Sequence, residues 1–106
     1  EITSRGGWVV RLGDDTMTPL PSMENVIDYP FTKYKSDLMD LCLIKNCRFF
    51  FGAPSGVSYV AHFFHTNRLL INIENWRFET SHQRDRAILM GVYLKNEERH
   101  LPMQNF

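Results

Sequence analysis

The stretch from residue 48 to residue 73 constrains the fold of this chain more than any other part of the sequence. It begins with the apolar run Phe49–Phe51, whose lack of alternation is typical of a parallel strand covered on both faces. After a sharp turn at residues 52–56, apolar residues repeat with helical spacing at Val57, Val60, Ala61 and Phe64. The apolar run Leu69–Ile73 follows. Strand, turn, helix and strand in this order predict a β-α-β unit with parallel strands.

Three further runs predict the rest of the sheet. Trp8–Leu12 and Asn25–Tyr29 have the β-branched and aromatic composition of strands, and Pro30 ends the second of them. Ala87–Met90 predicts a last short strand, whereas residues 95–106 predict an irregular tail. This alternation of strands and helices favours an α/β fold, a doubly wound, Rossmann-like and mostly parallel layer that covers residues 1–106 as a single lobe.

A helix of about ten residues is predicted between the second and third strands, with Ser36 as its N-cap. Asp37 is favourable at its first position because the carboxylate faces the positive end of the helix dipole. The face predicted to pack on the sheet carries Leu38, Leu41, Cys42 and the aliphatic stem of Lys45.

Length and charge limit what the chain can do. Its 106 residues amount to one domain or a piece of one, and because it begins at Glu1 without Met we expect a fragment of a larger chain. Twelve basic and twelve acidic residues balance, which gives no basic field for nucleic acid. No apolar run reaches the ~20 residues of a membrane span, so we expect a cytoplasmic protein, at most at the inner face of the membrane. Cys42 and Cys47 are expected to be buried, reduced thiols.

Ligands of open parallel sheets bind at the carboxyl ends of the strands, and three segments follow such ends. Ser55 and Gly56 open the second helix, with Ser58 in its first turn; they predict either a phosphate site or a simple helix cap. Arg11 ends the first strand and Asp14 follows it. They predict either a diphosphate clamp or a surface ion pair between the two side chains.

Asp40, on the first helix, forms the third segment and would lie at the edge of the buried face. Asp14 with Asp15 could hold Mg²⁺ or be solvated, and His62 with His65 could form a metal pair or lie on the outer side of a helix. Because the histidines lack an evident third ligand and adjacent acids in a loop are often only solvated, we expect no metal site. Most of the aromatic residues are expected in the core, although one beside Asp40 could stack on a base; they include Trp8, Phe31, Tyr34 and Tyr59.

The same segments carry a resemblance to a known family. The chain resembles, from about Gly7 to Asn72, the carboxyl-terminal nucleotide-sugar-binding lobe of a bacterial family of GT-B-type glycosyltransferases. It is more distantly similar to inverting GDP-fucose transferases. The motifs that carry this resemblance are WVVRLGD (8–14), NVIDY (25–29), KSDLMDL (35–41) and RFFFGAPSGVSYVA (48–61).

The resemblance implies roles for individual residues. Arg11 matches the arginine that holds the donor diphosphate, and Asp14 matches the acid that closes this motif and is the local candidate for a general base. Asp40 matches the helix aspartate that receives the nucleobase, with Asp37 as a further donor-binding residue. The phosphate-binding turn corresponds to Ser55, Gly56 and Ser58.

Two departures leave the identity of the donor open: Val9 stands where the fucosyltransferase motif has His, and Gly56 replaces a second Ser. The implied reaction is inverting transfer of a sugar from a nucleoside-diphosphate sugar to an unknown glycan or other acceptor, without a metal or a further cofactor. A missing amino-terminal lobe or partner subunit would supply the rest of the enzyme. The competing interpretation is a non-catalytic α/β module that binds a nucleotide or a protein.

Overall fold

The computed structural model of the chain describes residues 1–73, 83–91 and 93–100. Within them the protein is mixed α/β, and its small sheets are mostly parallel. The chain divides into two compact units, Glu1–Cys42 and Leu43–Phe106, and the boundary falls inside helix α1 (Asp37–Asn46).

The first unit contains a two-stranded parallel sheet. Strands β1 (Val9–Arg11) and β2 (Val26–Asp28) pair over their whole length, so that Arg11 lies opposite Asp28. Both predicted strands are therefore confirmed. Short 3-10 helices span Thr3–Arg5 and Tyr29–Phe31, and Pro30 lies in the first turn of the second, where the missing N–H has no helical partner to lose.

Helix α1 begins where the sequence predicts but turns a different face inward. The Oγ atom of Ser36 accepts a hydrogen bond from the Met39 amide at 3.0 Å, which confirms the predicted N-cap. The predicted buried face is wrong, because Leu38 is 72% exposed whereas Ile44 is 4% exposed. The inward face instead runs through Asp40 and Ile44, one turn apart, and the Ile44 carbonyl accepts a hydrogen bond from Thr66 Oγ1 at 2.9 Å.

The cysteines in α1 and just after it also differ from the prediction. Both Cys42 and Cys47 are exposed, so the prediction of buried thiols is wrong. Cys42 shares the outward side with Leu38, and the Cys47 sulfur lies at the end of the helix, 3.2 Å from the Ile44 carbonyl.

The second unit contains the predicted β-α-β unit. Strand β3 (Phe50–Gly52) leads through a turn to helix α2 (Gly56–Phe63) and on to strand β4 (Arg68–Ile73). Strand β5 (Arg86–Leu89) lies on the other side of β4, and all three strands are parallel in the order β3-β4-β5. Strands β6 (Tyr93–Leu94) and β7 (Arg99–His100) form an antiparallel hairpin. Arg99 and His100, which lie in the segment predicted to be irregular, therefore form a strand.

Helix α2 covers one face of the three-stranded sheet. Ala61 and Leu70 are completely buried, and the Ser58 carbonyl of α2 accepts a hydrogen bond from Arg68 on the same face of β4 as Leu70. Phe51 points to the other face and is 56% exposed. The prediction that the Phe49–Phe51 run is covered on both faces is wrong, because in the described residues α2 packs on the face opposite to Phe51.

Several aromatic residues predicted to form the core lie outside it. Trp8 and Tyr34 are exposed, and so are Phe31 and Tyr59. The buried core of the described chain is made of Tyr29 in the first unit and, in the second unit, of Ile44, Ala61, Leu70 and Ile73.

Candidate functional site

Arg11 is held by Asp28 at the carboxyl ends of β1 and β2. Arg11 Nε donates to Asp28 Oδ1 at 2.7 Å, and Arg11 Nη2 donates to Asp28 Oδ2 at 2.9 Å. Nη2 also donates to the Thr18 carbonyl at 2.9 Å. The two side chains are 22% and 19% exposed, so this is a half-buried, bidentate ion pair across neighbouring parallel strands.

The pair also fixes the loop between the two strands. Asp28 Oδ2 accepts a hydrogen bond from the Leu20 amide at 2.8 Å. The hydrogen bond from Arg11, despite partial desolvation, lowers the pKa of Asp28 below its ordinary value, with a further contribution from the Leu20 amide. Asp28 is therefore ionised at neutral pH and forms an ion pair with Arg11.

Asp14 does not pair with Arg11, which corrects the predicted alternative of an Arg11–Asp14 surface pair. Asp14 Oδ1 accepts hydrogen bonds from the hydroxyl of Thr16 and from its amide, the latter at 2.9 Å. These bonds lower the pKa of Asp14, and the side-chain hydroxyl contributes most. Gly13 lies in this loop with a φ of +148°, a backbone conformation that favours glycine because it carries no Cβ.

Asp40 belongs to a second polar cluster in the first unit. Tyr29 Oη donates to Asp40 Oδ1 at 2.5 Å, and Lys35 Nζ donates to Asp40 Oδ2 at 2.6 Å. The Tyr29 hydroxyl also accepts a hydrogen bond from the Ser36 amide at 3.1 Å. The buried Tyr29 directly follows β2, so its bonds to Ser36 and Asp40 tie the start of α1 to the end of β2. Asp37 lies at the exposed first position of α1.

The cluster sets the protonation states of its members. Desolvation acts to raise the pKa of Asp40, but the hydrogen bonds from Lys35 and Tyr29 together lower it below the ordinary value. Burial, and then the hydrogen bond to Asp40, raise the pKa of Tyr29. Asp40 is therefore a carboxylate that accepts one hydrogen bond on each oxygen and keeps further lone pairs for a ligand donor.

In the second unit, Ser55 and Ser58 form a reciprocal capping box at the start of α2. Ser55 Oγ accepts from the Ser58 amide at 3.4 Å, and Ser58 Oγ accepts from the Ser55 amide at 2.9 Å. Ser58 is completely buried, so its hydroxyl is used inside the protein. The helix-cap interpretation of Ser55 is confirmed, and it leaves the first helical amides available.

Those amides belong to Gly56 and Val57. Neither amide donates a hydrogen bond to any residue that the structure describes. A Cβ atom placed on Gly56 would meet no other atom within 4 Å, so open space adjoins this backbone. An anion could approach the helix start at this point.

The predicted site residues thus fall into separate groups. Arg11, Asp14, Asp37 and Asp40 belong to the first unit, and the structure couples Arg11 to Asp28 and Asp40 to Tyr29 and Lys35. Ser55, Gly56 and Ser58 belong to the second unit and form one helix start. The sequence pattern missed Asp28 as the partner of Arg11, although both end the predicted strands that become β1 and β2.

A buried ion pair in the second unit was also missed. Arg68 donates from Nε to Asp85 Oδ1 at 3.1 Å and from Nη2 to Asp85 Oδ2 at 2.5 Å, with the two side chains 1% and 0% exposed. No periodicity in the sequence around Asp85 points to burial. An open cleft of about 310 Å³ lies beside the pair, at the amino ends of β4 and β5, and is lined by His65, Thr66, Asn67, Gln83, Arg84 and Asp85.

The described part of the chain offers neither a metal centre nor a membrane-crossing helix. Within residues 1–73, 83–91 and 93–100, no group of three or more His, Cys, Asp or Glu side chains is arranged to hold a metal ion. Over the same residues, no helix has the length and apolar character that a membrane crossing requires.

Comparison with known proteins finds no protein-family model, curated protein or solved structure that matches this chain.

Proposed function

We propose that the chain is the donor-binding lobe of a GT-B-type glycosyltransferase, a doubly wound α/β lobe that takes a nucleoside-diphosphate sugar in the cytoplasm. One observation carries the proposal: in each unit, groups of a kind suited to phosphate lie at or shortly after the carboxyl end of a parallel strand. Arg11 is the last residue of β1, and α2 begins shortly after β3 ends with two amides that bind none of the described residues. This is the edge at which open α/β sheets bind ligands.

The proposed chemistry is displacement of the nucleoside diphosphate from the sugar carbon by an acceptor hydroxyl. Negative charge grows on the leaving diphosphate, and in the first unit Arg11 would stabilise it electrostatically. In the second unit, the helix start at Gly56 offers backbone amides for the same purpose. Ser55 and Ser58 support this role by fixing the first turn of α2 before a ligand binds.

Acid–base and nucleobase contacts are assigned to the first unit. Asp14 is the candidate base for the acceptor hydroxyl; its lowered pKa keeps it ionised and makes it a weak base. The free lone pairs of Asp40, with Asp37 one turn before it, would accept hydrogen bonds from the nucleobase. The acceptor, a glycan or another hydroxyl compound, would be presented by a further lobe or a partner subunit.

A titration of the isotope-labelled chain with GDP and with UDP tests the proposal. We expect amide signals near Arg11, Asp40 and Gly56 to shift. Arg11→Ala should weaken binding roughly ten- to hundredfold, the value of a lost charged hydrogen bond. Arg5→Ala is the matched control, because Arg5 is an exposed arginine that pairs with Glu1, and it should leave the affinity within about twofold. Unmoved signals in a folded sample would refute the proposal.

A non-catalytic binding module is the second candidate. It is favoured by the observation that the charges of Arg11 and Asp40 are both paired inside the protein, with Asp28 and Lys35. A protein that binds the nucleotide sugar but, in its full-length form, neither transfers nor hydrolyses it would support this candidate.

A further inference from the structure

The Arg11 guanidinium has five N–H groups, and three of them donate hydrogen bonds within the protein. The Nε group and one Nη2 group bind Asp28, and the second Nη2 group binds the Thr18 carbonyl. The two N–H groups on Nη1 make no hydrogen bond to any described residue. The Nε and Nη2 edge, which binds carboxylates and phosphates in a fork, is therefore already occupied.

Asp28 is itself held in place from a second direction. Its Oδ2 atom accepts both from Arg11 and from the Leu20 amide, at 2.9 and 2.8 Å. The two side chains leave facing positions of paired parallel strands, so the backbone register fixes their separation. The centre of the Phe31 ring lies 6.0 Å from the Arg11 Cζ atom, at the outer limit of a cation–π contact.

From this geometry we infer that Asp28 is a positioning residue of the donor site: it fixes the guanidinium of Arg11 so that a diphosphate is bound through Nη1 alone. The inference rests on the proposed function. Asp28 does not touch the donor; it removes the cost of ordering a long, flexible side chain at the moment of binding. The bond between Arg11 and Asp28 persists in the complex, and the diphosphate receives at most two hydrogen bonds from this arginine.

The first arm of the test uses GDP and the intact chain. Asp28→Asn should weaken GDP binding about three- to tenfold, the cost of ordering one rotamer-rich side chain, even though it removes a negative charge. Glu24→Gln, which removes an exposed carboxylate just ahead of β2, is the matched charge control and should leave the affinity within about twofold. Equal or tighter binding by Asp28→Asn would show that Asp28 competes with the ligand and would overturn the inference.

The second arm uses nuclear magnetic resonance to follow the Nε and Nη1 protons of Arg11. If Asp28 had only a structural role, GDP would not produce different shifts at these two positions. In the wild-type chain we expect slow rotation of the guanidinium, and on GDP addition a shift of the Nη1 protons with little change at Nε. This arm needs no variant and remains decisive if Asp28→Asn does not fold. An equal shift at Nε would mean that Asp28 is displaced, which contradicts the inference.

The two proposals fail in different ways. A wild-type chain that binds neither GDP nor UDP refutes the donor site, and the positioning role with it. A wild-type chain that binds GDP, whose affinity is unchanged in Asp28→Asn, refutes the positioning role alone.

Discussion

Removal of Asp85 should destabilise the second unit more than the loss of any exposed ion pair. The Arg68 and Asp85 side chains are almost completely buried, and two hydrogen bonds join them directly. Asp85→Ala removes the carboxylate that faces the Arg68 guanidinium in an interior that solvates charge poorly. The Ser58 carbonyl, which accepts a hydrogen bond from Arg68 at 3.2 Å, carries no charge.

The expected loss follows from this burial. Breaking a buried pair by removing one partner costs about 3–5 kcal/mol, a large share of the roughly 5–15 kcal/mol that stabilises a typical domain. With a urea dependence of about 1–3 kcal/mol per molar, the unfolding midpoint should fall by roughly 2 M.

Urea unfolding followed by far-ultraviolet circular dichroism measures this loss. The matched control is Glu97→Ala, which breaks the exposed Glu97–Arg99 pair and should change the free energy of unfolding by less than about 1 kcal/mol. The double variant Arg68→Met with Asp85→Leu should recover most of the loss, because it removes both charges from the interior. A loss below about 1 kcal/mol in Asp85→Ala, or a double variant as unstable as the sum of the single ones, would refute the reasoning.

Two further predictions test the first helix. In the same unfolding assay, Ile44→Ala should lower the free energy of unfolding by about 2–5 kcal/mol and Leu38→Ala by less than about 0.5 kcal/mol, since α1 buries Ile44 and exposes Leu38. A larger loss in Leu38→Ala than in Ile44→Ala would contradict this and would favour the buried face predicted from the sequence. Asp40→Asn should make stability less sensitive to acid. The pKa of Asp40 is lowered in the folded protein, so its contribution is complete above the ordinary value of 3.8 and is lost as the pH falls through the lower folded value. Urea midpoints measured against pH should therefore fall more steeply below about pH 4 in the wild type than in Asp40→Asn, and parallel curves would contradict this.

The sequence predicts the elements of this chain better than their burial. Both strands of the first unit, the cap at Ser36 and the β-α-β unit follow from local signals, because strand composition, capping and helical spacing act over a few residues. Burial depends on neighbours distant in sequence. Leu38 looks like a core residue by spacing, yet the side of α1 that carries Asp40, bonded to Tyr29, and the buried Ile44 is the opposite one.

The same distinction applies to the candidate site. The position of Arg11 at a strand end and the cap at Ser55 were both predictable from short patterns. The residues that bind these side chains were harder to predict. The pairing of Arg11 with Asp28 rather than Asp14 requires the register of two strands that are 17 residues apart along the chain. Asp85 follows a stretch of sequence without any period, so its pairing with Arg68 could not be predicted at all.

The ion pair between Arg11 and Asp28 also has a consequence for how the first unit chooses its structure. Strands β1 and β2 have three residues each, too few for apolar contacts alone to select one alignment. A shift by a single residue would move Asp28 to the opposite face of the sheet and away from Arg11. The opposite charges meet in one alignment only, so the pair acts as a register lock for this two-stranded parallel sheet.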